Sequence, residues 1–382
     1  MKLKKITIAF SILSLAFMAQ SCIGSGDESI VLEDGTRTDI PSDKNATANP
    51  EIDGDHTATM PNIQYSTVEE NGAKVFRIDM TGIQNPETHE WIRLYGTDEE
   101  EQNVWAELDD TPKAIKVYNT IDDNGLHTVP VDIVFLVDNS GSMDDEADTI
   151  ARDIISWASQ LEASGLSVQF ACVGYDGAIK GAINLTTVDK LSEWLDRSTG
   201  TARTVGFAGD DAEALQNDTE KYRTKGNGYY ECGVAALRFA NDHFSFRSSA
   251  NRIYVNFTDE PNQPNGNSEY SVEWIKNNWE TSMGAIHTVF SASSETEAEY
   301  NYLMSEYTGG TVINTNSSFD GVSLSSLPVS DAMQNSYIIR MTNINNYIDG
   351  KSHKLHITVL SKDKKVSVER TYNVVLTPET LE

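Results

Sequence analysis

The sequence is poor in cysteine and in basic residues, and each shortage excludes a class of protein. Three cysteines in 382 residues are too few to hold a chain of this length together, so a disulfide scaffold is excluded. The chain carries 58 acidic against 29 basic residues, a net charge of −29. So acidic a protein repels nucleic acid and attracts hard cations. We therefore exclude nucleic-acid binding and look for a cation site.

The familiar catalytic motifs are missing as well. The seven histidines include no His-Glu-x-x-His pair, and the chain has neither a Gly-x-Ser-x-Gly elbow nor a Gly-x-x-x-x-Gly-Lys loop. No base partner for a nucleophilic serine is indicated in the sequence, although such a base need not be near in sequence. We therefore expect a binding protein rather than an enzyme, and a hydrolase is the least favoured alternative.

Long hydrophobic runs are absent beyond the amino terminus, where three lysines precede an apolar run over residues 6–19. This run is shorter than the roughly 20 residues that span a bilayer, so a signal peptide is predicted over residues 1–21. The stretch "AQSC" resembles the lipobox of bacterial lipoproteins, which implies an acylated Cys22. The resemblance implies lipid anchoring in a bacterial cell envelope, at the outer membrane, with the periplasmic and external faces both open. Cleavage elsewhere would leave Cys22 an ordinary residue.

The rest of the chain divides into four predicted segments. Residues 22–60 are rich in Asp, Gly, Ser, Thr, Asn and Pro and almost without aromatics, which predicts a disordered tether. Residues 61–127 alternate like strands in "AKVFRIDM", "EWIRLYG", "NVWAEL" and "KAIKVYNT", and residues 335–382 alternate in the same way. Neither segment has enough strands for a sandwich alone. We expect both to pair into one Ig-like β-sandwich, with residues 128–334 inserted between them.

The inserted interval changes rhythm and alternates strands with helices. "VDIVFLV" is β-branched and apolar throughout, as a buried strand is, and the apolar residues that follow it from Ala147 to Leu161 step by three and four. This alternation predicts a Rossmann-like α/β domain, a mainly parallel sheet with helices on both faces. Ligands of such sheets bind at the carboxyl ends of the strands.

Three oxygen-bearing side chains, Asp138, Ser140 and Ser142, follow that buried strand at alternate positions in "DNSGSM". A carboxylate and two hydroxyls are hard donors of the kind that Mg²⁺, Mn²⁺ or Ca²⁺ prefer, and no nearby Cys or His favours zinc. Gly141 is expected to let the backbone turn between the serines. The alternative is a loop that only caps the following helix, since Asp, Asn and Ser are favoured there.

The run "DNSGSM" after an apolar strand resembles the Asp-x-Ser-x-Ser signature of von Willebrand factor A domains, and the resemblance extends over the whole inserted interval. It implies a metal-ion-dependent adhesion site that holds Mg²⁺, with Ser140 and Ser142 as direct ligands and Asp138 bound through water. The stretch "RIYVNFTDE" supplies Asp259, which by the same resemblance accepts hydrogen bonds from metal-bound water.

The sequence departs from the family at the next expected ligand, a threonine in a Gly-rich loop before a helix. In "TKGNGYYECGVAAL", Asn227 or Gly228 stands at that place. Some related domains carry a glutamate three positions on, and Glu231 matches it. Thr224 is an alternative if the loop folds back. The third protein ligand therefore stays open.

A second metal is a further alternative. Asp145 and Glu146 in "MDDE" resemble the neighbouring calcium site of integrin β chains. Acidic residues in a first helical turn are also stabilised by the helix dipole without any metal. Both the second metal site and this explanation stay open.

The resemblance implies a function. In these domains the metal keeps one position open, and an Asp or Glu carboxylate of a protein partner fills it. We therefore expect a membrane-anchored adhesion or protein-binding lipoprotein. The alternative is a subunit of an envelope or pilus assembly that binds a fixed neighbour. Cys172 and Cys232 are expected to form either one bridge or two separate buried thiols.

Overall fold

The computed structural model describes residues 30–31, 37–54, 56–58, 60–120, 129–144, 146–224, 230–247, 250–280, 283–291, 303–315, 319, 322, 324–327 and 333–377. The predicted signal peptide and Cys22 lie outside these residues. Within the described ranges, no helix combines the length and the apolar character that a bilayer crossing requires.

The described residues form one seven-stranded sheet, two four-stranded sheets and a two-stranded ribbon. The strands are β1 (Ile30–Val31), β2 (Arg37–Thr38), β3 (Ile63–Glu70), β4 (Ala73–Met80), β5 (Val104–Leu108), β6 (Thr111–Lys113), β7 (Lys116–Asn119), β8 (Val131–Asp138), β9 (Val168–Tyr175), β10 (Ile179–Thr186), β11 (Gly206–Ala208), β12 (Asn251–Thr258), β13 (Ala285–Phe290), β14 (Val312–Asn314), β15 (Tyr337–Met341), β16 (Ser352–Leu360) and β17 (Ser367–Val375). The α-helices are α1 (Ala147–Ala163), α2 (Val188–Leu195), α3 (Ala212–Asn217), α4 (Gly233–His243) and α5 (Val272–Asn278).

The seven-stranded sheet confirms the predicted α/β fold. Its strand order is β11-β10-β9-β8-β12-β13-β14. Neighbouring strands are parallel except for the antiparallel pair β9 and β10. The chain builds outward from β8 through β9 on one side and returns to β12 on the other. The strand order therefore reverses between β8 and β12, which is where ligands of such sheets bind.

Strand β8 is apolar throughout because helices cover both of its faces. All eight of its residues are buried. Phe135 packs against Trp157 of α1, with ring centroids 6.1 Å apart, in a core that also contains residues of α2. Leu136 points into a second core that includes α4 and α5 residues. The alternation of the two cores along β8 places α1 and α2 on one face of the sheet and α4 and α5 on the other.

The two cysteines of the α/β domain belong to different cores. Cys172 lies in the core under α1, and Cys232 lies in the core under α4. Both thiols are free and buried. Because the sheet separates them, the alternative of two separate buried thiols is the correct one.

The two four-stranded sheets confirm the predicted β-sandwich. One has the order β3-β4-β15-β7, and the other has the order β17-β16-β5-β6. Ile339 of β15 pairs with Ile78 on one side and with Val117 on the other, so a strand from the end of the chain lies between two from its beginning. The inward residues of both sheets form a single core. The α/β domain is therefore an insertion between β7 and β15.

The strand predicted in "EWIRLYG" is largely wrong. Only Trp91 makes a ladder contact there, an isolated bridge to Gln84. Further on, the backbone of Leu94 is bound by a side chain: Leu94 N donates to Asn119 Oδ1 and Leu94 O accepts from Asn119 Nδ2, both at 2.9 Å. The amide of Asn119 thus replaces the neighbouring strand, because it offers the same donor and acceptor pair.

The disordered tether predicted over residues 22–60 is wrong in its second half, which packs on the sandwich. Ile40 is fully buried. The carboxylate of Asp39 accepts a hydrogen bond of 2.6 Å from Arg340 Nη2, and the Asn49 side chain donates to two groups on β16. Composition misled the prediction because polar side chains, rather than a large apolar surface, hold this segment in place.

Candidate metal centre

The candidate site begins where β8 and β12 end. Asp138 is the last residue of β8, and Asp259 follows the last residue of β12. The two strands are parallel and in register, with Val137 opposite Phe257. Their carboxyl ends therefore meet at one edge of the sheet, and the two aspartates lie beside each other at the point where the strand order reverses.

The loop after β8 is folded by its own hydrogen bonds. Ser140 N donates to Asp138 Oδ1 at 2.8 Å, which turns the chain directly after the strand. A short 3-10 turn follows over Gly141–Met143, and the side chain of its last residue, Met143, is fully buried. A Cβ built at Gly141 would meet nothing within 4 Å, and its φ is not positive. The backbone turns here in a conformation that other residues also adopt, so the expectation that Gly141 lets it turn is wrong.

The two predicted hydroxyl ligands lie side by side, and one of them reaches the second aspartate. The Oγ atoms of Ser140 and Ser142 are 3.0 Å apart, and Ser142 Oγ donates to Asp259 Oδ1 at 3.2 Å. These contacts bring together the four residues that the sequence placed in a metal site. Two hydroxyls and two carboxylates thus lie in one cluster at the edge of the sheet.

Glu231 completes this cluster from the other side. It lies just before α4 and is 8% exposed. Its backbone is fixed to the loop after β12, since Gln263 N donates to Glu231 O at 2.7 Å and Glu231 N donates to Gln263 Oε1 at 3.2 Å. One carboxylate oxygen each of Asp138, Glu231 and Asp259 lies within 4.8 Å of the other two.

The alternative ligand Thr224 is bound elsewhere. Its hydroxyl donates to the carbonyl oxygen of Gly177 at 3.1 Å, and its backbone N–H donates to the same atom at 3.0 Å. Asn227 and Gly228 lie outside the described residues. Of the two candidates that the structure describes, Thr224 and Glu231, the glutamate is the one that reaches the aspartates.

The pKa values of the clustered carboxyls reflect burial and mutual repulsion. Burial raises the pKa of Asp138, and the charge of Asp259 raises it further, against lowering by hydrogen bonds from Ser140 and Thr258. Burial also raises the pKa of Glu231, and the charges of Asp138 and Asp259 add to the effect. Ionised carboxylates at this spacing repel each other, so the cluster favours either bound protons or a cation.

The residues present fit a hard divalent cation. Glu231 Oε2 is buried and has no hydrogen-bond partner, which is costly for a carboxylate oxygen unless another group binds it. Three carboxylates and two hydroxyls supply only oxygen, the ligand atom that Mg²⁺, Mn²⁺ and Ca²⁺ share. Among the described residues, this is the one group of three or more acidic, histidine or cysteine side chains close enough to hold a metal ion.

Two further side chains belong to the site and were not singled out in the sequence. Thr258 Oγ1 donates to Asp138 Oδ2 at 2.8 Å, and the negative charge of Glu260 contributes to raising the pKa of Glu231. Both stand beside Asp259 in "FTDE". A hydroxyl at the carboxyl end of the strand next to β8 was the available signal for Thr258, since the two strand ends had to meet.

The alternative second metal falls partly outside the described residues, because Asp145 is not among them. Glu146 is buried at the start of α1, where it occupies the cap position. It does not belong to the carboxylate cluster at the edge of the sheet. The second site stays a prediction.

Comparisons with known proteins agree with the inserted α/β domain. A family model described as von Willebrand factor type A domain matches residues 132–322, half of the chain. No curated protein matches the chain.

Solved structures similar to the chain include one from a mussel and two from bacteria. Proximal thread matrix protein 1 of the mussel byssus is 13% identical, with a TM-score of 0.35, over 59% of this chain and 49% of that one. The conserved hypothetical protein BatB of Bacteroides thetaiotaomicron is 11% identical, with a TM-score of 0.34, over 53% and 95%. An aerotolerance-related membrane protein of Bacteroides fragilis is 13% identical, with a TM-score of 0.32, over 54% and 98%. The chain thus spans about half of the mussel protein.

Proposed function

We propose that this chain, which belongs to the von Willebrand factor type A domain family, binds a protein partner through a divalent cation at the carboxyl edge of its seven-stranded sheet. The observation that carries the proposal is the convergence of Asp138, Glu231 and Asp259 within 4.8 Å, with the hydroxyls of Ser140 and Ser142 beside them. Five oxygen-bearing side chains from three separate loops would not meet at one strand edge for capping alone.

The residues divide into two roles in this proposal. Ser140, Ser142 and Glu231 hold the cation, while Asp138 and Asp259 orient its water and stabilise its charge. When bound, the cation would supply a coordination position that an external carboxylate can fill. Thr258 and the Ser140 N–H keep Asp138 in place by hydrogen bonds at 2.8 Å.

The same geometry sets which ion is expected. Three carboxylates carry more negative charge than one divalent ion neutralises, so the site is expected to retain its ion well. The ligand atoms are all oxygen, which suits Mg²⁺ first and Mn²⁺ or Ca²⁺ as substitutes. A partner's acid group meets a site with residual negative charge, so apolar contacts at the rim must contribute to its binding.

We place this function at a bacterial cell surface or in the envelope. The support is in the sequence, where three lysines and an apolar run precede "AQSC", as in a lipoprotein signal. Labelling cells with radioactive palmitate tests the anchor. Loss of label in a Cys22→Ser variant is the expected result, and equal label in both proteins would contradict the anchor.

We propose binding rather than catalysis at this site. The Ser140 hydroxyl contacts the hydroxyl of Ser142 and hydrogen-bonds the Asp138 carboxylate, and in this proposal both partners belong to the metal site rather than to a nucleophile and its base. Screening the purified protein against ester and peptide substrates tests this. Turnover that disappears in a Ser140→Ala variant would overturn the proposal of a pure binding site.

Capture of cell-surface proteins by the immobilised chain tests for the partner. The protein without its predicted signal is immobilised, and surface proteins are captured in Mg²⁺, in chelator, and with Asp138→Ala in Mg²⁺. Proteins captured only by the unaltered chain in Mg²⁺ support a cation bridge. A stoichiometric partner from the same envelope would favour the assembly alternative. Equal capture in all three conditions would contradict the bridge.

A further inference from the structure

Two neighbouring residues in the loop after β12, Asn262 and Gln263, attach that loop to the start of α4. The loop begins with Asp259, directly after the last residue of β12, and Glu231 lies two residues before the first residue of α4. Two carboxylates of the candidate metal centre therefore belong to segments that are joined through this pair of residues, which we call the amide clamp.

Asn262 caps helix α4 from the other loop. The N-cap residue of the helix, Cys232, makes no side-chain cap hydrogen bond. Val234 N donates instead to Asn262 Oδ1 at 3.0 Å, the kind of bond that a capping side chain accepts from the second helical residue. Cys232 Sγ donates to the same oxygen at 3.3 Å, and Asn262 Nδ2 donates to Tyr270 O at 2.9 Å. The first turn of α4 is thus tied to the loop that carries Asp259.

Gln263 fixes the backbone of Glu231 by two hydrogen bonds in opposite directions. Gln263 N donates to Glu231 O at 2.7 Å, and Gln263 Oε1 accepts from Glu231 N at 3.2 Å. The other group of the Gln263 amide, Nε2, donates to Glu260 Oε2 at 3.3 Å. Both polar groups of the Glu231 backbone are therefore bound by one residue, so the loop after β12 sets the point from which the Glu231 carboxylate extends.

The Glu231 carboxylate needs such an attachment because its neighbours repel it. One carboxylate oxygen each of Asp138, Glu231 and Asp259 lies within 4.8 Å of the other two, and ionised carboxylates at this spacing repel each other. Glu231 Oε2 is also buried without a hydrogen-bond partner. The carboxylate thus gains little from its own surroundings in the metal-free chain, and its position depends on the bonds to its backbone.

We propose that Asn262 and Gln263 are positioning residues of the cation site, which hold the Glu231 carboxylate at the ion through the backbone that carries it. The inference rests on the proposed function and deepens it, since it states what brings the third protein ligand to the site. The two amides act through Glu231 and are not ligands themselves. Groups that orient a metal ligand in this way contribute strongly to metal affinity.

A different explanation must be separated from this one by the test. Asn262 and Gln263 follow Asp259 in the same loop, so a substitution in the amide clamp could lower ion affinity by displacing Asp259. The two explanations differ when Glu231 is altered as well. An effect that acts through Glu231 disappears in a Glu231→Gln background, whereas an effect that acts through Asp259 persists there. A double-mutant cycle measures this difference.

Calorimetric titration with Mn²⁺ tests the proposal on the unaltered protein, Gln263→Ala, Glu231→Gln and the double variant. Gln263→Ala is expected to lower Mn²⁺ affinity about tenfold in the unaltered chain and to have no further effect when Glu231→Gln is present. Asn262→Ala removes the cap of α4 and is expected to behave in the same way. Thermal melting in chelator shows which variants fold, and the two clamp variants protect the test against the failure of one.

Asn267→Ala is the matched control, because Asn267 lies in the same loop and its side chain accepts a local hydrogen bond of 3.2 Å from Glu269 N. Unchanged Mn²⁺ affinity is expected for it. Unchanged affinity in a folded clamp variant would overturn the positioning role. A loss that persists in the Glu231→Gln background would assign the effect to Asp259 and overturn it too. If the unaltered protein bound no Mn²⁺, the proposed function would fail, and this inference with it.

Discussion

The two edges of the seven-stranded sheet have different surroundings. At the carboxyl edge, Asp138, Glu231 and Asp259 bring three negative charges within 4.8 Å of one another. At the amino edge, the starts of β12 and β13, with Arg252 and Ala285 among the residues, line a cavity of about 630 Å³ between the α/β domain and the sandwich. Strand direction therefore separates the two edges: the loops at the ends of the strands converge on the proposed cation site, whereas the beginnings of the strands lie against the sandwich.

The largest expected effect is the loss of cation-dependent stability when the carboxyl edge is altered. An ion that binds only the folded chain adds about 2.7 kcal/mol of stability at one hundred times its dissociation constant. Asp138→Ala and Asp259→Ala should each remove most of the rise in melting temperature that Mg²⁺ gives the unaltered protein. Gly141→Ala is the control, because a methyl group there meets nothing within 4 Å. A full rise in the aspartate variants would contradict the site.

The next largest effect is expected at Glu231, which stands in this site where the family usually offers a threonine. Glu231→Gln keeps the shape of the side chain and removes one charge, so ion affinity should fall by about ten- to a hundredfold. Without metal, the variant should be at least as stable as the unaltered chain, since it removes a carboxyl whose ionised form is disfavoured by burial and by the charges of Asp138 and Asp259. Calorimetric titration with Mn²⁺ measures the first effect and melting in chelator the second. Lower metal-free stability with unchanged affinity would assign Glu231 a structural role only.

The pH dependence at the carboxyl edge follows from its raised pKa values. Folding raises the pKa of Asp138 above 3.8 and that of Glu231 above 4.5. The metal-free folded state therefore binds more protons than the unfolded state, and its stability falls as pH rises from about 4 through these folded pKa values. Because protons compete with the ion, stabilisation by Mg²⁺ should be larger at pH 8 than at pH 5.5. A stabilisation that shrinks with rising pH would be inconsistent with carboxylate ligands.

The smallest effect is expected in the sandwich, away from both edges of the seven-stranded sheet, where it serves as a reference. His353 is held between Asp109, at 2.7 Å from Nδ1, and Asp349, at 3.0 Å from Nε2. Its pKa is raised above 6.5, chiefly by the hydrogen bond to Asp109. The stabilisation of the fold by His353 and its two aspartates is therefore complete below about pH 6.5, and it is lost as pH rises through the folded pKa of the histidine.

His353→Gln should accordingly lower the melting temperature more at pH 5.5 than at pH 9, by a few degrees at most because the aspartates are partly exposed. Its response to Mg²⁺ should equal that of the unaltered protein, which separates the sandwich from the carboxyl edge. A larger loss at pH 9 would show that the histidine is not held as an imidazolium.

Much of the α/β domain was predictable because its signals are local. Strand β8 is buried along its whole length and α1 repeats its apolar residues at helical spacing, so both were evident in the residues themselves. Strand β10 was not predicted. Its pairing is antiparallel to β9 and contains register shifts, and the glycine within "IKGAINLT" weakened the strand pattern.

The site residues that directly follow strands were predictable. The residue whose position depends on the approach of a loop was not. Asp138 and Asp259 end adjacent parallel strands, so the strand pattern sufficed to bring them together. Glu231 stood beside Thr224 as an open alternative, because the approach of a loop depends on backbone bonds such as those to Gln263, which no local pattern shows. The amino-edge cavity was not predicted at all, since it arises from the docking of two domains.

Diffraction from crystals grown with Mn²⁺, recorded at the manganese absorption edge, tests the central claim most directly. We expect one anomalous peak among the side chains of Ser140, Ser142 and Glu231, and its loss in crystals of Asp138→Ala. A folded, fully occupied crystal with no peak at the carboxyl edge, or with its manganese at another place, would contradict the account.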